Sequence, residues 1–298
     1  MKQHIFIADD GKRIVCSVWD NVKKPIGVVQ IIHGMDEDVQ RYDSFARFLN
    51  KNRYIVFGDD HRGHGRTAGT IKKIGKTDGH TDIFAATVAD ELGILNYLKR
   101  KYRLPVFIFG HGYGSFITQT LLGRTKLCTA GVCMAGSARY SCAMLWVACA
   151  VAWVGKTIWG KDACARFIEF WSPVRGILYG EATSMSRDTA EIKRRQKTNS
   201  PRKCFSYGFY YSLFKNLTHI DFDTCPTMPL LIISGGRDIV SLNGRLARAL
   251  YNAYNVHDLQ NLTLIIYPDA RHELLFDLDR ETVQNDILEF LNNANSKK

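Results

Sequence analysis

The stretch Val106-Phe-Ile-Phe-Gly-His-Gly-Tyr-Gly-Ser115 decides the fold of this chain. Its first four residues are apolar and are bounded by a proline and a glycine, which is typical of a short buried parallel strand. Three alternating glycines follow, and the segment 116–122 has the composition of a helix. A strand that enters a helix through a tight glycine turn is the frame of the nucleophile elbow, G-x-S-x-G. Its middle position, which holds the attacking side chain, is Gly112 here, so the attacking atom is missing.

Strand-like and helix-like segments alternate along most of the chain. Apolar runs indicate strands at 27–32, 54–57, 130–135, 230–233 and 262–267, and Asp9-Asp10-Gly11 indicates a hairpin between 4–8 and 13–19. Helical spacing is present at 42–49, 83–102, 242–254 and 280–291. This alternation predicts an α/β fold with a mostly parallel, doubly wound sheet and helices on both faces.

The strand pattern stops after Gly136 and returns at Pro229. The intervening segment is rich in helix formers and aromatic residues. We therefore predict an α/β core formed by residues 1–136 and 225–298, with a helical cap, or lid, inserted at residues 137–224.

The chain is strongly basic. It has 298 residues, enough for one large α/β domain or one domain with an inserted cap. Its formal net charge of +11 would attract anionic partners, but we favour the simpler interpretation of an unevenly charged soluble surface. The basic residues are dispersed and are not interleaved with aromatic residues, so nucleic-acid binding is not predicted. The apolar run 143–154 is shorter than the roughly 18 to 20 residues that cross a bilayer. We therefore predict peripheral contact with an anionic membrane surface and no transmembrane helix.

The cysteine pattern gives no sign of a metal site or a disulfide framework. The eight cysteines, at 16, 128, 133, 142, 149, 164, 204 and 225, form no C-x-x-C pair, so no zinc site is expected. The segment Met1-Lys-Gln-His-Ile-Phe-Ile lacks the apolar core and the cleavage site of a signal peptide. We predict reduced cysteines, mostly small core residues, in a cytoplasmic protein without a cofactor or metal.

Three positions follow the order nucleophile, acid, histidine, which is the order of the triad in α/β-hydrolase folds. Gly112 occupies the first, Asp238 follows a predicted strand in Gly-Gly-Arg-Asp, and His272 lies in the loop after the last predicted strand. The carboxyl ends of parallel strands meet at one edge of a sheet, so these positions should lie close together. A lone aspartate after a strand is usually a turn residue, and a lone loop histidine is usually solvated. We therefore base the prediction on all three positions in this order, together with His33-Gly34.

Other polar residues are weaker candidates for chemistry. Ser115 is the hydroxyl nearest the elbow, but it should point along the first helical turn, so it is a minor alternative nucleophile. His111 precedes the turn and should pack or form a hydrogen bond beneath it. The loop cluster of Asp59, Asp60, His61 and His64 could suggest a metal site, but the glycines and arginines between these residues favour a folded loop. We interpret His33, His61 and His64 as structural residues in loops that shape the crevice.

At these motifs the sequence resembles the monoglyceride lipase and lysophospholipase branch of the α/β-hydrolases, over nearly the whole chain outside the cap. Ile31-Ile-His-Gly-Met35 is similar to the oxyanion strand of that branch, and Arg41-Tyr42 with 45–49 is similar to its first helix. Asp60-His-Arg-Gly-His-Gly-Arg66 is similar to its D-H-R-G-H-G-x signature. Phe109-Gly-His-Gly-Tyr-Gly-Ser115 matches its G-H-S-x-G elbow except at the serine, and 234–238 and 270–273 match its acid and histidine segments.

The resemblance implies a role for each site residue. Asp238 would be the triad acid and His272 the base, while the N–H groups of Met35 and Tyr113 would form the oxyanion hole. The cap would cover an acyl-chain pocket. Glycine adopts the strained elbow conformation at little cost, so Gly112 should leave the fold intact and should impair turnover.

Three functions are compatible with the sequence. The first is a carboxylic ester hydrolase for monoacylglycerols, lysophospholipids or similar esters, with a lesion at Gly112. The second is a non-catalytic acyl-lipid binder, and the third is a peptidase-type α/β-hydrolase, which would have a small polar pocket. Aromatic residues of the cap favour a lipid, unless they form only the core of the cap; they are Trp146, Trp153, Trp159, Phe167, Phe170 and Trp171.

Overall fold

Strands in one sheet form the centre of the molecule. The computed structural model describes residues 1–124, 129–171, 185–198, 204–222, 228–256 and 261–296. Eight strands are found in these ranges, in the order β1-β2-β4-β3-β5-β6-β7-β8. They are β1 Lys2–Ile7, β2 Arg13–Trp19, β3 Gly27–Ile32, β4 Tyr54–Asp59, β5 Val106–His111, β6 Gly131–Ala135, β7 Leu230–Gly235 and β8 Leu262–Tyr267.

The sheet is parallel from β3 to β8, and the predicted hairpin supplies its antiparallel edge. β1 pairs with β2, and β2 pairs with β4, in antiparallel register. Strands β3, β4 and β5 are buried along their whole length, as expected for apolar runs covered on both faces. The prediction of an α/β fold with a mostly parallel, doubly wound sheet is confirmed.

The helices cover both faces of the sheet. They are α1 Asp43–Lys51, α2 Gly65–Ala68, α3 Ile83–Tyr102, α4 Tyr113–Arg124, α5 Cys142–Trp159, α6 Arg166–Trp171, α7 Thr189–Thr198, α8 Tyr207–Leu217, α9 Arg245–Asn255 and α10 Arg280–Ser296. Two apolar clusters result, one on each face of the sheet. The parallel strands therefore direct their carboxyl ends toward one edge, where the loops meet.

Helices α5 to α8 lie between β6 and β7 in sequence, although these two strands are neighbours in the sheet. Segments 172–184, 199–203 and 223–224 of the predicted cap lie outside the described residues. Gly155 lets α5 approach α8 closely, because a Cβ at this position would overlap the ring of Tyr207. The boundaries of the cap as a separate unit stay a prediction.

Helix α5 is longer than the apolar run that predicted it. Its 18 residues, Cys142–Trp159, are long and apolar enough to cross a bilayer by length and composition, and 22% of them are buried. The apolar run used for the prediction ends at Val154, but the helix continues past Gly155 to Trp159. The prediction that this segment is too short to span a bilayer is therefore wrong. One such helix is weak evidence for a span, since core helices of soluble proteins pass the same test.

Two cysteines are joined, contrary to the prediction of reduced thiols. Cys164, before α6, forms a disulfide with Cys204, before α8, across a sequence separation of 40 residues and a Cα–Cα distance of 5.6 Å. The backbone brings them together because Cys164 also bridges to Ser206 as an isolated antiparallel pair. Three of the free cysteines, Cys16, Cys133 and Cys149, are buried, and Cys142 is exposed. Cys128 and Cys225 lie outside the described residues.

Candidate active site

The elbow has the geometry that the glycine pattern predicts. Strand β5 ends at His111, and α4 begins at Tyr113, so one residue makes the turn. That residue, Gly112, has φ +52°, in the left-handed region where side chains are strained. Gly114 must lack a side chain, because a Cβ there would overlap the carbonyl oxygen of Ile32.

His272 and Asp238 meet at this edge of the sheet. Nδ1 of His272 lies 3.1 Å from both carboxylate oxygens of Asp238, and both side chains are buried. Burial alone would raise the pKa of Asp238, but His272 and the N–H of Val240 outweigh burial and lower it. An ionised carboxylate fixes the imidazole and leaves Nε2 free to face the elbow.

The second nitrogen of His272 faces the empty apex of the elbow. A Cβ built on Gly112 would lie 3.1 Å from Nε2 of His272 and 3.9 Å from the Cα of Gly34. A side chain at position 112 would therefore contact Nε2 of His272. A general base needs this proximity to the atom whose proton it removes.

Met35 and Tyr113, whose N–H groups the resemblance assigns to an oxyanion hole, line the same cavity as the elbow. Met35, Gly112, Tyr113 and His272 all line one cavity. Among the hydrogen bonds between described residues, none uses the N–H of Met35 or of Tyr113. The N–H of Tyr113 also belongs to the first turn of α4, where the helix dipole favours negative charge.

A buried charged network supports the loop that contains Met35. Glu37 accepts hydrogen bonds from the N–H of Gly34 at 2.5 Å and from the hydroxyl of Tyr42 at 2.6 Å. Burial would raise the pKa of Glu37, but a hydrogen bond to His111 and the charge of Arg41 hold it well below its usual value. Nδ1 of His111 lies within hydrogen-bond distance of Glu37 and of the hydroxyl of Tyr42, so His111 connects the elbow to this loop. Its packing beneath the turn stays a prediction.

Arg41 extends this network to the residue after His272. Its guanidinium group contacts Glu273 at 2.6 Å and Glu191 of α7 at 2.9 Å. Arg195 of α7 forms a second ion pair with Glu273. Sequence reasoning missed Glu37, Glu191, Arg195 and Glu273, because a charged residue in a loop or on a helix gives no signal of a partner far along the chain.

Ser115 does not face the site. Its hydroxyl is fully buried and donates to the carbonyl oxygen of Gly112 at 2.6 Å. The side chain therefore points along the first turn of α4, and the alternative that it replaces the missing serine is not supported by this arrangement.

The loop histidines are buried together beneath the site. His33 stacks on His61 with ring centroids 3.8 Å apart, and His64 packs edge-on against both rings. Asp60 accepts hydrogen bonds from Arg66 and from the N–H of Val39, so it stabilises the loop. This agrees with the structural roles predicted for these residues.

Two groups of described residues bring three ligand atoms within 4.8 Å of one another. One contains Asp59, His61 and Glu91, in which Nδ1 of His61 lies 3.1 Å from its hydrogen-bond partner Asp59 and 3.0 Å from a carboxylate oxygen of Glu91. The other contains Cys164, Cys204 and Glu169, whose two sulfur atoms are joined in the disulfide. Neither group is the Asp59, Asp60, His61 and His64 set that the sequence suggested, and the absence of a resident metal stays a prediction.

The cavity beside the elbow has a volume of about 660 Å³. Its lining is mainly apolar, and His111, Glu37, Glu273 and His272 give it one polar end. The apolar walls come from α4 and from the helices between β6 and β7; they include Phe116, Leu145, Val151, Ile168, Leu213 and Leu217. This volume is in the usual range for a ligand pocket.

The fold and the geometry agree with a known family. The profile of the family described as Serine aminopeptidase, S33, matches residues 23–279. The chain belongs to this family. Solved structures with the same fold include a thermostable carboxyl esterase from Bacillus coagulans, 24% identical with a TM-score of 0.84 over 99% of this chain and 98% of that one. A soluble variant of monoglyceride lipase from Saccharomyces cerevisiae is 19% identical, with a TM-score of 0.74 over 98% of this chain and 94% of that one.

Several proteins with sequences similar to this chain are named as lipases. Monoglyceride lipase of Rattus norvegicus is 32% identical over 110 residues, 37% of this chain and 34% of that protein. The monoglyceride lipase homolog of Monkeypox virus is 34% identical over 110 residues, 37% of each chain. The chain thus spans little more than a third of the length of these curated relatives. The resemblance to monoglyceride lipases inferred from the motifs is confirmed.

Proposed function

We propose that this chain binds a small acyl ester, such as a monoacylglycerol or a lysophospholipid, in a carboxylic ester hydrolase site whose nucleophile position is Gly112. The main support is the position of His272, held by Asp238 and facing Gly112 beside a large apolar cavity. In this proposal Asp238 orients the base, His272 transfers protons, and the N–H groups of Met35 and Tyr113 stabilise the oxyanion.

The cavity favours an acyl chain over a peptide. Its mainly apolar lining and its volume of about 660 Å³ fit a long hydrocarbon chain better than a charged amino terminus. Glu37, Glu273 and His111 would face the alcohol portion of the ester. A peptidase-type α/β-hydrolase should have a small polar pocket. The large, mainly apolar cavity therefore counts against that alternative.

Gly112 makes the turnover of this chain low. Without a side chain there is no hydroxyl to form an acyl intermediate, so the covalent route of serine hydrolases is closed. The second candidate function is therefore an acyl-lipid binder that keeps the cavity without the covalent chemistry. Its specific support is the same cavity beside an apex that carries no nucleophile.

A fluorophosphonate probe separates the two candidates. We expect intact-protein mass spectrometry to show no adduct on the chain as it stands and one adduct on Gly112→Ser, because His272 would activate the new hydroxyl. The double variant with His272→Ala is the control and should lose the adduct. A folded Gly112→Ser protein without an adduct would favour the lipid binder.

We also propose that the helices above the cavity contact an anionic membrane surface. Five aromatic residues of α5 and α6 are exposed, so the alternative that they form the core of the cap is wrong for them; they are Trp146, Trp153, Trp159, Phe167 and Phe170. The side chain of Trp171 lies outside the described residues. Phe167 also lines the cavity, so an acyl chain could enter directly from the lipid. Lys156 and Lys161 lie in or near the same helix and add positive charge.

Vesicle flotation tests this contact. The chain should bind phosphatidylserine-containing vesicles more than phosphatidylcholine vesicles, and added salt should weaken the difference. A Trp146→Ser, Trp153→Ser double variant should lose binding. Ile7→Ser is the matched control, since Ile7 is 54% exposed on β1 at the far edge of the sheet. Equal, salt-independent binding to both vesicles would contradict the electrostatic part of the proposal.

Cytoplasmic location with peripheral membrane attachment belongs to the same proposal. In the cytoplasm the disulfide between Cys164 and Cys204 would be unusual, because structural disulfides are rare in the cytosol. Fractionation of cells that express the chain, with thiol labelling of each fraction, tests both points. Recovery of the chain from an oxidising compartment, with Cys164 and Cys204 unreactive toward the thiol label, would overturn the cytoplasmic prediction.

A further inference from the structure

His272 is a complete general base whose side-chain partner is absent. Asp238 holds Nδ1 with both oxygens at 3.1 Å, so the imidazole is oriented as in a working triad. Nε2 faces the apex, 3.1 Å from the Cβ position of Gly112. The proton that this nitrogen would remove must therefore come from a molecule in the cavity and not from residue 112.

The apex opens into the cavity where a water molecule could sit. Gly112, His272, Met35 and Tyr113 all line this space, and the three heavy atoms nearest the Cβ position belong to His272 and Gly34, the closest at 3.1 Å. A buried water needs two to four polar partners. Nε2 of His272 supplies one of them, and the alkoxy oxygen of a bound ester would supply a second.

We propose that this chain hydrolyses acyl esters slowly by direct attack of a water molecule that His272 activates, without an acyl-enzyme intermediate. The proposal rests on the proposed function, because it uses the same cavity and the same oxyanion groups. It differs in the attacking atom: the water oxygen forms the bond to the acyl carbon, and no side chain becomes acylated.

The step balances with the groups in the site. The water oxygen bonds to the carbonyl carbon while Nε2 of His272 takes one water proton, and the carbonyl electrons move to the oxygen facing Met35 and Tyr113. When the tetrahedral intermediate collapses, the bond to the leaving alcohol breaks, and the alkoxide takes the proton from Nε2. The products are the carboxylic acid and the alcohol, and His272 is neutral again.

Direct attack and an acyl-enzyme differ in two observable ways. The leaving alcohol has already departed when an acyl-enzyme reacts with water or methanol. The ratio of hydrolysis to methanolysis is therefore the same for every ester of one carboxylic acid. Direct attack keeps the leaving group bound during the bond-forming step, so this partition changes with the leaving alcohol. A burst of alcohol in the first turnover also requires an acyl-enzyme.

Three proteins test the role of water: the chain as it stands, Gly112→Ala and His272→Ala. Gly112→Ala retains Asp238 and His272 but puts a methyl group 3.1 Å from Nε2, so the imidazole shifts by a few tenths of an ångström and the methyl group displaces the water. With a short chromogenic acyl ester, each variant should hydrolyse at least about 10²-fold more slowly than the chain as it stands, because positioned general bases contribute this much. Circular dichroism shows whether each variant is folded, and Asp238→Asn gives a third measure of the base if Gly112→Ala does not fold.

The chain as it stands should show no burst, no fluorophosphonate adduct and a methanol partition that varies with the leaving alcohol. Gly112→Ser should show a burst and a constant partition. Equal rates for the chain, Gly112→Ala and His272→Ala would overturn the water route. If Gly112→Ser still turns over, the proposed function survives that result; if it does not, both fail. An adduct on the chain that Ser115→Ala removes would also overturn the proposal, because a side-chain nucleophile would then exist.

Discussion

Serine at position 112 should exchange stability for activity. Gly112 has φ +52°, and a residue with a side chain in such a conformation costs of the order of 1–3 kcal/mol. The new Cβ would lie 3.1 Å from Nε2 of His272, so the imidazole must move by a few tenths of an ångström while keeping Asp238. We expect Gly112→Ser to lower the free energy of unfolding by about 1–3 kcal/mol.

The same substitution should raise ester hydrolysis strongly. Loss of the serine from a complete triad costs up to about 10⁶ in kcat, with a residual of roughly 10³–10⁴ over water from the rest of the site. Restoring the hydroxyl to a base and oxyanion groups already in place should therefore increase kcat by at least about 10²-fold. We do not expect the full factor of about 10⁶ in kcat, because the imidazole ring of His272 must first move away from residue 112.

Initial rates on a chromogenic short acyl ester and thermal unfolding measure the two effects. Gly112→Ala is the matched control: it carries the same Cβ without the hydroxyl, so it should lose the same stability and gain no activity. A serine variant as stable as the parent chain would refute the strain argument. A folded serine variant with no gain in kcat would show that His272, Met35 and Tyr113 do not form a working site.

Three further predictions concern the rest of the molecule. Replacing both Cys164 and Cys204 with serine should lower the free energy of unfolding by about 2–4 kcal/mol in denaturant titration, because a long loop is no longer closed; unchanged stability would contradict a structural disulfide. Burial and the charge of Asp59 raise the pKa of Glu91 to about 8, so the folded chain binds a proton that the unfolded chain releases, and stability should fall as the pH rises from 4.5 to about 8. Glu91→Gln should flatten that slope in unfolding midpoints measured across the range, and an unaltered slope would exclude Glu91 as its source. Gly155→Val should separate α5 from α8 and lower the unfolding midpoint through an overlap costing about 1–3 kcal/mol, and an unchanged midpoint would mean that the two helices can part freely.

The site predicted from sequence depended on short local signals. Asp238 follows β7 by three residues, and His272 follows β8 by five, so each motif stays attached to a strand end. Once alternating segments indicated a parallel sheet, the loops after those strands had to meet at one edge. The structure brings Gly112, Asp238 and His272 together there; their catalytic roles remain proposals.

Local patterns failed where a pairing joins distant parts of the chain. Arg41 contacts Glu273 across 232 residues, and the buried partners Asp59 and Glu91 lie on a strand and a helix. The disulfide likewise joins segments that carry no C-x-x-C signal. Such contacts depend on how helices pack over the sheet, which hydrophobic periodicity alone does not specify.

The sequence by itself therefore determined the α/β architecture, the glycine turn and the order of the candidate triad, because backbone conformation and side-chain alternation are local properties. Only the tertiary structure decided that Nε2 of His272 faces Gly112 at the edge of an apolar cavity, and that aromatic residues of α5 and α6 are exposed. These facts depend on distances between residues far apart in the chain. Packing of the whole chain fixes such distances, and no short segment contains them.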